Sequence, residues 1–162
     1  MTAPDQEQAR SLAPEVDARA RASIARQTML TTLGVSVERL EPGYCELGLA
    51  HRADLTQQHG FIHAGAITTI ADSACGYAAY SVFPADRDVL TVDFTVNLVA
   101  PAAHPKFVAA GRVIRAGRTI TTCRGEVYGI GPDGQRTVIA LIQATMMAVS
   151  RLSVPRDEGA GG

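Results

Sequence analysis

Two histidines four residues apart, a glycine two residues beyond the second, and an aspartate nine residues beyond it share one run, HGFIHAGAITTIAD, residues 59–72. Two kinds of chemistry use such a set. HxxxH on a helix presents two ligands to a divalent metal, with a remote carboxylate completing the site, as in zinc hydrolases. Alternatively, a carboxylate activates water or attacks a carbonyl while backbone N–H groups hold the developing oxyanion. The metal reading needs both histidines on one helical face. Gly60 stands where those hydrolases carry a glutamate base, and with Gly65 it makes His59 and His63 loop residues. His51 and His104 lie in other segments and offer no third ligand at a suitable spacing. No metal is therefore expected. His63 is expected to hydrogen-bond within its loop, and His59 to do the same or to be solvated.

Asp72 is the only Asp, Glu, Lys or Arg between Asp54 and Asp86. Taking an unpaired carboxylate out of water costs several kcal/mol even after relaxation. Asp72 must then be protonated, paired from another segment, or placed beside a wet cavity. A structural ion pair with Arg112 or Arg124 is one reading, and a base or nucleophile facing substrate is the other. Ahead of it, His63-Ala64-Gly65-Ala66 passes from loop into helix, which leaves first-turn N–H groups and the positive end of the helix dipole free to hold an oxyanion. With Gly65 at the helix start, Asp72 in the second turn lies about 10 Å further along the axis at the usual rise per residue. That separation is large for one small carbonyl. It points to an acid supplied by a second subunit, and so to a dimer with sites at the interface.

The elements that must position these residues are legible around them. From Ala66 to Phe83 nearly every residue is apolar or small, with Ile67, Ile70, Ala71, Ala74, Ala78 and Val82 at helical spacing, which describes a buried helix. Cys75, three residues past Asp72, is expected to pack in the core, since apolar surroundings raise a thiol pKa. Ala74, Gly76 and Ala78 leave room beside the helix. Residues 35–41 and 44–50 read as strands paired through Pro42-Gly43. Residues 90–98 alternate apolar and polar without a fault, the mark of a strand with one buried face. Residues 106–114, 119–128 and 138–149 follow as strands, with turns at Ala116-Gly117 and Pro132-Asp133-Gly134. Short turns between sequence neighbours favour antiparallel pairing. The economical architecture is an α+β domain over residues 15–150, five or six antiparallel strands wrapped around one central helix. Residues 15–32 are expected to form a surface helix ahead of it, with residues 1–14 and 151–162 disordered.

Bulk properties narrow the classes. At 162 residues the chain is the size of one domain. A net charge of −1 with scattered basic residues lacks the footprint of a nucleic-acid binder. No apolar run nears the roughly 20 residues of a membrane span, and the polar, acidic start lacks signal-peptide regions, so a cytoplasmic protein is expected. Three widely spaced cysteines suggest neither disulfides nor a zinc cluster.

HGFIHAGAITTIAD, then SACGYAAY and TVDFTVNLVAPA, resembles the hotdog-fold acyl-CoA thioesterases of the phenylacetate-degradation, PaaI-like type, over about residues 30–149. The resemblance implies acyl-CoA as substrate, no cofactor beyond that CoA, and a homodimer or homotetramer. It implies Asp72 as general base or nucleophile and His63 as the signature histidine. Ala64 and Gly65 would receive the thioester oxygen through their N–H groups, and Thr91 would orient water. Gln57 would contact substrate or water, and Gln58 could serve instead. His59, Ser73 and Gly76 would border the substrate, and Arg118 would meet the CoA phosphates. HAG stands where the family has HGG, which is harmless if Ala64 is helical and strained if it needs positive φ. A non-catalytic acyl-CoA or acyl-carrier binder and a hydratase or dehydratase of the same fold are the alternatives.

Overall fold

The buried helix that carries Asp72 is the centre of the molecule. In a computed structural model, which describes residues 11–151, this helix, here α3, spans Ala64–Tyr80, and 12 of its 17 residues are buried. Two shorter helices precede it, α1 (Pro14–Ala25) and α2 (Thr28–Leu33). Six strands complete the domain: β1 (Ser36–Glu41), β2 (Tyr44–Ala50), β3 (Arg87–Leu98), β4 (Lys106–Ala116), β5 (Ile120–Ile130) and β6 (Arg136–Ser150). They form one antiparallel sheet in the order β1-β2-β4-β5-β6-β3, and α3 packs across its inner face. This is the hotdog architecture expected from the sequence. Most of the disorder expected for the two termini falls on residues 1–10 and 152–162, outside the described residues.

At Gly111 the backbone of α3 comes up against the sheet. A Cβ there would lie 2.4 Å from the carbonyl carbon of Ala74 and 2.5 Å from the Cys75 nitrogen, so only glycine admits the helix backbone. The apolar residues Ile67, Ile70, Ala71, Ala74 and Ala78 are buried as their spacing implied. Val82 is not, because α3 ends at Tyr80 and leaves it exposed beyond the last turn. Cys45, Cys75 and Cys123 are free and buried; burial pushes the Cys45 and Cys123 thiols up to about 12 and raises Cys75 as well, so all three are inert.

The single helix expected over residues 15–32 is broken at Arg26–Gln27. Geometry explains the break. At 3.6 residues per turn, Leu30 and Leu33 on a continuous helix would point roughly 280° and 220° round from Ala20, away from the face that Ala20 and Ile24 bury. With Gln27 extended, both leucines turn into the core. Gln27 Nε2 donates to the buried Tyr77 hydroxyl at 2.8 Å, which ties the break to α3.

No glycine or lysine caps the C-terminal end of α3. Arg19 of α1 does that work, donating to the carbonyls of Pro84 (2.8 Å), Phe83 (3.1 Å) and Tyr80 (3.3 Å) and stacking 4.5 Å above the Tyr80 ring. Only the Tyr80 carbonyl belongs to the helix; the other two lie in the segment that follows, so the guanidinium ties that segment to the helix end, where the cation also complements the dipole. Arg19→Ala is expected to lower unfolding stability by about 1–3 kcal/mol with an unchanged m-value, as read by urea denaturation.

β3 departs most from its sequence pattern. Thr91 pairs with Met146 but Asp93 pairs with Thr145, so Val92 is an extra residue, a β-bulge. Before the bulge Val89 and Thr91 share the inner face with Ala148 and Met146; after it Phe94, Val96 and Leu98 do so, opposite Ala144, Ile142 and Ala140. The faultless alternation of residues 90–98 thus hides a change of face. β3 is also the last strand of the sheet, and Leu90, Val92, Phe94 and Leu98 are all exposed rather than buried on one side.

Candidate functional site

His63 is the N-cap of α3, in extended conformation with φ −60° and ψ 139°. Its ring nitrogen Nδ1 accepts the Gly65 N–H at 2.8 Å, doing the work that a serine or aspartate oxygen usually does. An Nδ1 that accepts carries no proton, so the neutral ring has its hydrogen on Nε2. The expected hydrogen-bonding role of His63 within its loop is met in this form. Gly65 N–H is thereby engaged by the cap, while the Ala64 N–H, at the first helical position, is one of those that a helix start leaves without a partner within the helix. Ala64 is helical, and no residue other than glycine has positive φ among the described residues, so HAG carries no strain.

The loop before the cap is closed by a bridge between Thr56 and Ile62. Gln57 N–H donates to the Phe61 carbonyl at 2.8 Å, Gly60 N–H to the Gln57 carbonyl at 3.0 Å, and His59 N–H to Gln57 Oε1. Gly60, at φ +83°, makes the turn possible. His51 Nε2 bonds the Gly60 carbonyl at 3.2 Å, so this remote histidine braces the loop. The side chains of Gln58 and His59 are exposed on its outside.

Asp72 sits in the third turn of α3 rather than the second, half-buried. Thr91 Oγ1 donates to its Oδ1 at 2.9 Å, and none of the ion pairs among the described residues involves it. The reading that paired it with Arg112 or Arg124 is set aside: Arg112 lies over the Tyr44 ring at 5.7 Å, and Arg124 is exposed on β5. Burial pushes the Asp72 carboxyl above the ordinary aspartate value, and the Thr91 bond pulls it partly back. The β3 bulge makes this contact possible. On a regular strand Thr91 would share a face with Asp93 and Thr95 and point away from the helix.

Ser73 is buried beside the acid. Gly76, one turn beyond Asp72 on the same side of α3, has nothing within 4 Å of where a Cβ would stand. Arg118 is exposed in the β4–β5 turn, at the end of the sheet where the cross-strand row Thr121–Met146–Thr91 lies.

The expected residues therefore form two groups. Gln57, His63, Ala64 and Gly65 gather at the N-terminal end of α3. Asp72, Thr91 and Gly76 lie further along, about 12 Å away by eight residues of helical rise. Sequence reasoning missed an apolar pocket at the first group, formed by Phe61, Ile62, Ile67, Leu98, Ala102 and Ile139 with Gln57 and Ala64. Apart from the Pro-Ala pair at 101–102, nothing in the sequence marked it.

The family model of the thioesterase superfamily matches residues 59–133. A thioesterase family protein from Silicibacter pomeroyi is similar in structure with a TM-score of 0.81 at 42% identity, covering 84% of this chain and 99% of that one. The Escherichia coli PaaI protein of the phenylacetic acid degradation operon has a TM-score of 0.75 at 18% identity, covering 86% and 97%. A Haemophilus influenzae thioesterase has a TM-score of 0.70 at 16% identity, covering 83% and 91%. At those identities the last two likenesses concern the fold.

Proposed function

This chain belongs to the thioesterase superfamily, as a hotdog-fold, PaaI-like hydrolase of thioesters, and from that premise we propose that it hydrolyses acyl-CoA at sites shared between two copies of the chain. The observation that carries the reading is Asp72: a half-buried carboxylate with a threonine hydroxyl as its partner and no cation paired with it among the described residues, one turn from open space at Gly76. Such an acid is kept raised in pKa and available to remove a proton from water or to attack the carbonyl carbon.

The thioester oxygen is received by the Ala64 N–H, with the positive end of α3 behind it. Rotation of the His63 ring would release the Gly65 N–H as a second donor. Water adds, the C–S bond breaks, and CoA leaves as a thiolate that takes up a proton from solvent, so no strong acid is needed. Gln57 and Thr91 orient substrate and water, Gln58, His59 and Ser73 border the substrate, and Arg118 serves the CoA phosphates. No cofactor besides the substrate's own CoA takes part.

Within one chain the Ala64 amide and Asp72 are too far apart for a single carbonyl. A homodimer supplies the acid from the partner, and the exposed apolar residues of edge strand β3 are the surface such a partner would cover. The test is a thiol-trapping assay over aryl and fatty acyl-CoAs, with mass measured by light scattering. Thiol release above the uncatalysed rate from a dimer or tetramer is expected. Stabilisation by acyl-CoA without release would make the protein a binder and overturn the hydrolytic reading.

A further inference from the structure

We infer that Met146 is a positioning residue for the hydrolytic acid: its sulfur takes the Thr91 hydroxyl hydrogen when Asp72 gains a proton, so that the acid turns from acceptor to donor without losing its partner. This rests on the reading of Asp72 as the acid that activates water. The sheet sets the geometry. Met146 of β6 pairs with Thr91 of β3 on one side and with Thr121 of β5 on the other. It is fully buried, and its sulfur lies 3.5 Å from Thr91 Oγ1, which in turn lies 2.9 Å from Asp72 Oδ1. Thr121 Oγ1, also fully buried, has no hydrogen-bond partner among the described residues, so the sulfur serves Thr91 and not its other neighbour.

One hydroxyl hydrogen therefore has two acceptors. It rotates about the C–O bond to suit whichever is stronger. An ionised carboxylate outcompetes a thioether, so the hydrogen points at Asp72 while the acid is charged. Once Asp72 has taken a proton from water on Oδ1, as the hydroxide adds to the carbonyl carbon, that oxygen becomes a donor and meets Thr91 hydrogen to hydrogen. Rotation toward Met146 relieves the conflict: the carboxyl donates to Thr91 Oγ1, and Thr91 donates to Met146 Sδ. No bond to sulfur is made or broken, and Asp72 later returns its proton to solvent. An aliphatic side chain at 146 would leave the Thr91 hydrogen without this acceptor, and a strong acceptor would hold it permanently. A thioether lies between the two.

Burial and the Thr91 hydroxyl are the two influences on the Asp72 carboxyl. Cys75 on α3 registers the Asp72 charge, but burial raises its thiol and keeps it neutral. Toward α3, β6 presents Ala144, Met146 and Ala148, and β5 presents Thr121 and Cys123, whose thiol burial pushes up to about 12. On β3, Asp88 and Asp93 belong to the opposite face, and Arg87 is engaged with Asp86 and Ser150.

The experiment titrates the Asp72 carboxyl by NMR in protein carrying isotope-labelled aspartate, for the parent, Met146→Leu, Thr91→Val and the double variant, with pH profiles of thiol release alongside. Leucine keeps nearly the same volume without the sulfur. Met146→Leu is expected to lower the Asp72 midpoint by about half a pH unit or more, because the neutral acid loses its relay. The acidic limb of the rate profile should move with it, and kcat should fall about three- to tenfold with KM little changed. In the Thr91→Val background the same substitution should shift nothing further, an outcome that a packing role for Met146 would not give. If the leucine variant does not fold, norleucine in place of methionine removes the sulfur while keeping the shape, and selenomethionine, which keeps a soft acceptor, should match the parent. A midpoint and kcat unmoved by loss of the sulfur, or a shift that persists without the Thr91 hydroxyl, overturns the relay and leaves Asp72 as the hydrolytic acid. Thiol release absent from the parent sinks the hydrolytic reading instead, and the titration still decides whether the sulfur governs the Asp72 proton.

Discussion

Asp72→Asn is expected to lower kcat/KM for thioester hydrolysis by about 10³-fold or more while making the protein more stable. The first effect follows from role: an amide neither accepts a proton from water nor attacks as a carboxylate does. The second follows from environment. Burial raises the Asp72 carboxyl pKa, opposed in part by the Thr91 hydroxyl, so the folded state disfavours the charged form. A group whose folded pKa lies above its unfolded value contributes stability below the unfolded value, near pH 4, and loses that contribution as pH rises through the folded value. At neutral pH the charged acid therefore weakens the fold. Asparagine removes the charge, keeps the shape and can still accept the Thr91 hydrogen at its oxygen, for a gain of about 0.5–2 kcal/mol. Thermal unfolding and thiol release measured on the same preparation check both halves. Activity should also rise with pH as Asp72 ionises, along a limb displaced above the ordinary aspartate range. A variant that is inactive and less stable than the parent would mean that Asp72 holds the structure together.

Ala64→Pro is expected to lower kcat by about 10²–10³-fold with KM little changed, the usual consequence of removing one oxyanion donor. The substitution is unusually clean at this position. Ala64 is the first residue of α3, where proline is favoured because its fixed φ suits the helix and the missing N–H has no partner within it. Proline also requires an extended residue before it, and His63 is already extended at ψ 139°. The helix and its cap should therefore survive, with an unfolding midpoint close to the parent's by circular dichroism. What is lost is the single N–H that the helix start leaves without a helical partner while Gly65 is held by His63. Unchanged kcat in a folded Ala64→Pro protein would show that the oxygen is not received here.

Much of this molecule was local enough to read from the chain. The apolar periodicity of residues 66–80 defines a helix to be buried whatever surrounds it, and Gly43 and Gly134 mark turns through their own conformations. The isolation of Asp72 among uncharged residues is a property of the sequence, and so is the placing of Ala64 and Gly65 at a helix start. Other features depend on residues that meet only after folding. The break between α1 and α2 exists because Leu30 and Leu33 must face a core that the local sequence does not specify. The change of face at Val92 is set by pairing with β6, some fifty residues later, and without it Thr91 would not reach Asp72. Capture of the Gly65 N–H by His63 depends on the ring's rotamer. The pocket draws its floor from the segments around residues 62–67, 102 and 139. Side-chain period and turn chemistry are encoded within a few residues, which is why the helix, the strands and the acid were legible. Register, bulges and cavities come from contacts between distant segments, and only the tertiary structure decides those.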